Sequence, residues 1–235
     1  GGKAPLRETT AAALLLMAGW KRKFPLCDPF CGSGTILAEA ALYAWDAAPG
    51  LGRHFALEKL ALSDKAVEAR VRAELRDAVD TSRVVRIAGS DVDEKAVSLA
   101  EANLRRALRL TGAAAKDGAA PRVRVLPAEA AAPQPGWDGG FIVTNPPYGK
   151  RLGDEERTEA LYKSMGGLAE RFPGWKLCVL SDHAGFESLY GKKADSCREI
   201  KAGAENVYFY QFNPLNQLNP ISQITPKGHG DGDHS

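Results

Sequence analysis

The chain has 235 residues, 44% of them hydrophobic and 26% charged, and a formal net charge of +2. That length gives one domain a full core and leaves little room for a second. The near-neutral balance excludes a chain coated in basic charge, so any nucleic-acid surface must be a local patch.

The four cysteines, Cys27, Cys31, Cys178 and Cys197, form no Cys-x-x-Cys pair and have no neighbouring histidine. No metal is expected, and free thiols in a reducing cytoplasm are the default. Ala11 to Ala18 is apolar but far shorter than the roughly 20 residues that span a bilayer, so no membrane association is expected. The chain starts Gly1-Gly2 without methionine, as a domain cut from a longer protein would.

In chain order, the Ala/Leu-rich stretch from Leu6 to Leu16 predicts a helix with threonine available as a cap. Pro25 to Asp28 reads as a short buried strand, and Thr35 to Leu42 as a helix entered through Gly32-Ser33-Gly34. Residues 46–83 do not fit a tight strand-helix-strand unit and read as an excursion: an irregular part to Lys59, then an amphipathic helix from Asp64 to Asp80. Val84 to Asp91 is the second predicted strand. Asp93 can cap a helix from Glu94 to Leu110, whose Ala96, Val97, Ala100, Leu104 and Leu108 make one apolar stripe.

Thr111 to Pro121 reads as a loop and Arg122 to Leu126 as strand three, alternating with period two. Strand four is Gly140 to Thr144. A helix over Asp154 to Arg171, a strand over Trp175 to Ser181 and a short helix over Gly185 to Tyr190 follow. Cys197 to Lys201 and Asn206 to Phe212 read as a β-hairpin. The expected organisation is one α/β domain over residues 1–213, with the excursion inside it, and a flexible tail over 214–235. Alternating strands and helices predict a mostly parallel seven-stranded sheet, closed by the antiparallel hairpin.

Such a sheet binds ligands outside the carboxyl ends of its strands. Asp28, Asp91, Glu129 and Asn145 all fall just after predicted strand ends, on one rim. The glycine loop Asp28-Pro29-Phe30-Cys31-Gly32-Ser33-Gly34-Thr35 lets backbone approach a ligand closely. It departs from the dinucleotide fingerprint, which wants a third glycine where Leu37 stands and an acid about 20 residues on; Asp91 lies 57 residues after Gly34. It also lacks the lysine of a phosphate loop. Asp91 is placed to accept both hydroxyls of a ribose. Glu129 is placed to accept from an adenine amino group, or is a solvated loop glutamate.

Asn145-Pro146-Pro147-Tyr148 pairs a rigid hydrogen-bond acceptor with a stacking surface. The Asn145 amide oxygen and the Pro146 carbonyl can each accept an N–H from an exocyclic amine on a flat base, and Tyr148 can stack on that base. With the glycine loop, this points to methyl transfer from S-adenosylmethionine to a nucleobase nitrogen. His54 and His183 read as surface or loop residues. Among the basic residues, Lys150-Arg151 adjoins the catalytic loop and could hold phosphates of a splayed strand; Lys192-Lys193 is a second basic pair.

With these residues in place, the chain resembles the Rossmann-like methyltransferase domain of the THUMP-associated RNA guanine-N2 methyltransferases, in the branch acting on large-subunit ribosomal RNA. The resemblance runs through Pro5 to Ala13, Leu26 to Thr35, Ala48 to Arg53, Gly89 to Asp93, Thr144 to Leu152 and Phe186 to Asp195. The Asn-Pro-Pro-Tyr motif is shared with DNA adenine and protein glutamine methyltransferases. The Ala48-Pro49-Gly50-Leu51 and Gly191-Lys192-Lys193-Ala194-Asp195 stretches narrow the likeness to the bacterial branch.

It implies S-adenosylmethionine as donor, the 2-amino group of a guanosine in 23S ribosomal RNA as acceptor, a cytoplasmic enzyme, and an upstream RNA-binding THUMP domain absent from this chain. The donor pocket is then expected to draw on Thr10, Asp28, Phe30, Cys31, Gly32, Ser33, Gly34, Thr35, Asp91, Val92, Glu129, Ala130 and Asn145. Catalysis falls to Asn145, Pro146, Pro147 and Tyr148, and RNA contacts to Lys150, Arg151, Lys192 and Lys193. Two other readings stay open: the same donor with transfer-RNA guanosine or nucleic-acid adenine as acceptor, and a methyltransferase-like module that holds RNA without catalysis. The intact Gly32-Ser33-Gly34, Asp91 and Asn145 argue against the last.

Overall fold

The structure is a computed structural model and describes residues 6–110, 121–148, 155–202 and 205–214. Seven strands form one sheet: β1 (Leu26–Asp28), β2 (Ile87–Asp91), β3 (Arg122–Val125), β4 (Gly140–Thr144), β5 (Trp175–Ser181), β6 (Ser196–Ala202) and β7 (Glu205–Phe212). Their order is β3-β2-β1-β4-β5-β7-β6. The first five are parallel to their neighbours, and β7 runs antiparallel to both β5 and β6. The sheet is therefore mostly parallel with a C-terminal antiparallel hairpin, and β7 is the one strand running against the rest.

Helices α1 (Glu8–Ala18), α2 (Thr35–Ala44) and α4 (Glu94–Leu110) cover one face of the sheet, while α5 (Glu155–Ser164), α6 (Leu168–Arg171) and α7 (Phe186–Tyr190) cover the other. Side chains of the central strands alternate between the two cores as the pleat requires. Phe141 and Val143 of β4, with Cys178 and Leu180 of β5, enter the first core. Ile142, Leu177 and Val179 enter the second. Burial on both faces is why these strands read as continuous apolar runs.

Four expectations shift. Helix α1 begins at Glu8 behind Arg7, and no threonine side chain caps it. The second strand begins at Ile87 instead of Val84. The predicted Asp154–Arg171 helix is broken: α5 ends at Ser164, a 3-10 turn spans Met165–Gly167, and α6 follows. Gly166-Gly167 explains the break, since glycine is about 1 kcal/mol less favourable than alanine in a helix interior. In the excursion, α3 (Lys65–Asp77) forms with Asp64 as its N-cap, accepting from the Ala66 and Val67 amides, but none of its residues is buried. Arg72 anchors it to the chain before it, donating to the Leu51 and Arg53 carbonyls and pairing with Glu58. The 214–235 tail lies, apart from Pro214, outside the described residues.

Candidate active site

Because β1, β2, β4 and β5 run in the same direction, their carboxyl ends, at Asp28, Asp91, Thr144 and Ser181, form one rim. At two of these ends an aspartate turns the chain with its own side chain. Asp28 Oδ1 accepts the Phe30 amide at 3.1 Å, and Asp91 Oδ1 accepts the Asp93 amide at 3.0 Å; short acidic side chains favour such turns. Asp93 then caps α4, accepting the Lys95 amide at 2.9 Å.

The glycine loop is drawn onto β2. The Cys31 amide donates to the Ser90 carbonyl at 2.9 Å, and Gly32, in the left-handed region at φ 51°, donates its amide to Asp91 Oδ2 at 2.9 Å. Gly34 is left-handed at φ 75°, and an added Cβ would come within 2.9 Å of Ala100 Cβ. That glycine is where α2 leans on α4. Asn103 fixes the loop from α4, donating to the Ser33 carbonyl at 2.9 Å.

Asp28 is wholly buried, at 1% exposure. Besides Phe30 it accepts the Thr144 hydroxyl on the same Oδ1, at 2.6 Å. Burial pushes its carboxyl up to about 7, opposed by the Thr144 and Phe30 hydrogen bonds and helped by the nearby charge of Asp91. Since Thr144 immediately precedes Asn145, this bond ties the glycine loop to the Asn-Pro-Pro-Tyr segment.

Between these elements lies a cleft of about 680 Å³, within the range of small-molecule sites. Asp28, Phe30, Cys31, Gly32, Ser33, Thr35, Asp91, Val92, Asn145 and Pro147 line it. The Oδ1 atom of Asn145 is buried and accepts no hydrogen bond among the described residues. A buried acceptor without a donor costs about 1–3 kcal/mol, so this atom keeps capacity for a further hydrogen bond, as does Trp175 Nε1 at the start of β5. No group of three or more His, Cys, Asp or Glu suited to a metal occurs among the described residues.

Other expected residues lie elsewhere. Thr10 and Gly34 stand outside the lining, Gly34 serving the α2–α4 approach. Ala130 lines a smaller cavity of about 160 Å³ that shares Asp28 as a wall. Pro146 is buried beneath the rim, and Tyr148 is half-buried against the first core. Of Glu129 only the backbone, in a 3-10 turn over Ala128–Ala130, is described. Lys150 and Arg151 lie outside the described residues. Lys192 lines a cavity with Pro173, Gly174 and Trp175, at the amino-terminal edge of β5. Lys192 and its neighbour Lys193 thus sit at the opposite end of the sheet from Asn145.

The cleft also takes in Leu6, Pro29, Ile36, Lys95, Ala96, Leu99, Pro127, Ala128 and Leu161. Lys95, Ala96 and Leu99 share one side of the first turns of α4, which the position of Asp93 could have indicated. Leu6 and Leu161 carry no local signal.

Fold and cleft together define a Rossmann-like methyltransferase domain of the S-adenosylmethionine-dependent class: a mostly parallel seven-stranded sheet with β7 inserted antiparallel, a glycine loop after β1, an acid after β2 and Asn-Pro-Pro-Tyr after β4. The chain belongs to the UPF0020 family, the RMKL-like methyltransferase domain, which matches residues 1–209. It is 34% identical over 211 residues to YpsC of Bacillus subtilis (strain 168), which carries the name of an RNA methyltransferase; the match covers 90% of this chain and 52% of that protein. It is 35% identical over 230 residues to the ribosomal RNA large subunit methyltransferase K/L of Shewanella baltica (strain OS195), covering 94% of this chain and 31% of that one. Among solved structures, SMU.472, named as a methyltransferase and solved with SAH, superposes with a TM-score of 0.80 at 32% identity, covering 92% of this chain and 55% of that one. The chain thus spans about half the length, or less, of the relatives it matches.

Proposed function

We propose that this chain is the catalytic domain of an enzyme that methylates the exocyclic N2 amine of a guanosine in 23S ribosomal RNA, with S-adenosylmethionine as donor. The observation that carries the reading is the Asn145 oxygen, on a residue that lines the cleft, buried without a hydrogen-bond donor among the described residues. The names of the relatives support an RNA acceptor, and the ribosomal large subunit in particular.

The residues present fit the donor. The cleft is large enough, the glycine loop brings backbone to its wall, and Asp91 keeps acceptor capacity for ribose hydroxyls, since each carboxylate oxygen can accept more than one bond and each accepts one here. The donor supplies an electrophilic methyl group. The chain supplies placement: Asn145 Oδ1 and the Pro146 carbonyl each accept one N–H of the amine, which aims its lone pair toward the donor side of the cleft. Neither group is a base, so the rate gain comes from orientation and preorganised dipoles. Tyr148 offers its ring to the base.

The test is product identification. Unmodified large-subunit ribosomal RNA is incubated with the full-length protein and labelled S-adenosylmethionine, digested, and its nucleosides resolved by mass spectrometry. N2-methylguanosine is expected. Label in N6-methyladenosine, or in transfer RNA and not in ribosomal RNA, would overturn the acceptor assignment.

A further inference from the structure

Two successive prolines remove the amide hydrogens with which a loop usually ties itself down. The segment after β4 must therefore be held by its carbonyls and side chains. Thr144, on its near side, is fixed to Asp28. On its far side, the Pro147 carbonyl accepts the Tyr162 hydroxyl of α5 at 3.0 Å.

Tyr162 is fully buried, at 0% exposure, and its ring is held edge-on against Phe186 with centroids 4.9 Å apart. Its oxygen in turn meets Ser181 Oγ at 3.0 Å, and Ser181 Oγ meets the His183 amide at 3.1 Å. Every proton in this chain of bonds is assigned by elementary chemistry. A carbonyl can only accept, so Tyr162 donates to Pro147. Its oxygen then accepts from Ser181, whose oxygen accepts from the His183 amide. No group in the series has a second choice of direction, and such chains strengthen one another in a low-dielectric interior.

We propose that Tyr162 is a positioning residue for methyl transfer: with Ser181 behind it, its hydroxyl holds the Pro147 carbonyl and thereby sets the place of the Asn145 and Pro146 acceptors. This rests on the reading of Asn145 as the acceptor of the amine. Tyr162 touches neither substrate nor donor and acts through the loop. Burial pushes its phenol up to about 12, so the hydroxyl keeps its proton throughout the working pH range.

The experiment is Tyr162→Phe in the full-length protein, which keeps the ring on Phe186 and removes only the hydroxyl. With unmodified large-subunit ribosomal RNA, kcat is expected to fall by about 10²-fold, the scale of a small misplacement at a reacting centre. Affinity for S-adenosylhomocysteine should stay within about twofold, since uniform binding is untouched. Without RNA or donor, hydrogen exchange at the Asn145 and Tyr148 amides, which flank the prolines, should accelerate.

Wild-type kcat in Tyr162→Phe, or unchanged exchange at both amides, overturns the proposal. So does a lowered melting temperature with unchanged kcat per donor-binding site, which marks a purely structural tie. Asn145→Ala measured alongside separates the two claims. Full turnover in Asn145→Ala removes the amine reading and this role with it. Its loss there, with wild-type turnover in Tyr162→Phe, removes only the positioning role.

Discussion

Asp28 carries two opposed demands. Its buried carboxyl accepts from Phe30 and Thr144, bonds that are stronger when it is ionised, yet burial raises its pKa from 3.8 to about 7. The charged and titratable neighbours are Asp91 on β2, whose charge raises it further, and the buried thiols of Cys27 and Cys31, which burial itself pushes up and out of this range. A carboxyl whose pKa is higher folded than unfolded contributes stability that is full below the unfolded pKa and is lost as pH rises through the folded one. The window here is pH 3.8 to about 7. Asp28→Asn should therefore flatten the decline of stability across that window, by an amount on the order of a few kcal/mol, since a tenfold change in an acid dissociation constant corresponds to about 1.4 kcal/mol. Turnover in the wild type should move the other way, rising as Asp28 ionises and grips Thr144. Parallel melting curves for wild type and Asp28→Asn from pH 4 to 8 would rule this account out.

At the scale of elements, α3 tests how well an amphipathic pattern reports burial. Val67, Val71 and Leu75 make an apolar stripe at i, i+4 and i+8, but all three are exposed, and α3 is held by its Asp64 cap and the Arg72 fork. Val71→Lys should change stability by no more than about 0.5 kcal/mol, as for an ordinary surface site. A loss of about 2 kcal/mol or more in denaturant unfolding would mean that the stripe is covered.

The same scale decides what the sequence could convey. The strand ends were legible because short apolar runs stop at polar residues: Asp28 closes β1, Asp91 closes β2 and Asn145 follows β4. The mostly parallel character of the sheet followed from alternation of strands and helices, and the hairpin from Gly203 between two β-prone runs, whereas the strand order came only from the structure. The break at Gly166-Gly167 was present in the sequence, but the apolar residues around it, Tyr162, Met165 and Leu168, keep a helical spacing that conceals it. Tyr162 itself was not legible as a site residue. Its partners are Pro147 and Ser181, one on each side in the chain, and only the packing of α5 beneath the rim brings them together. That Lys192 lies far from Asn145 was concealed for the converse reason, since a basic pair carries no record of which end of the sheet it occupies.

Over the whole molecule, two buried tethers converge on one loop. Asp28 holds it through Thr144 on one side, and Tyr162 holds it through Pro147 on the other. Between them stands Asn145, whose Oδ1 has no hydrogen-bond partner among the described residues. In the proposed reading the cleft built from the ends of β1, β2 and β4 holds the donor, while Asn145 meets the acceptor base. Donor binding and base chemistry are therefore separable, and Asn145→Ala separates them. Calorimetry with S-adenosylhomocysteine and single-turnover methylation of ribosomal RNA should be run on the wild type and this variant together. Donor affinity should be nearly unchanged while turnover falls by roughly 10²-fold or more, the scale for loss of one preorganised polar group. Turnover that survives the substitution, with the donor still bound, would contradict the central role assigned to Asn145.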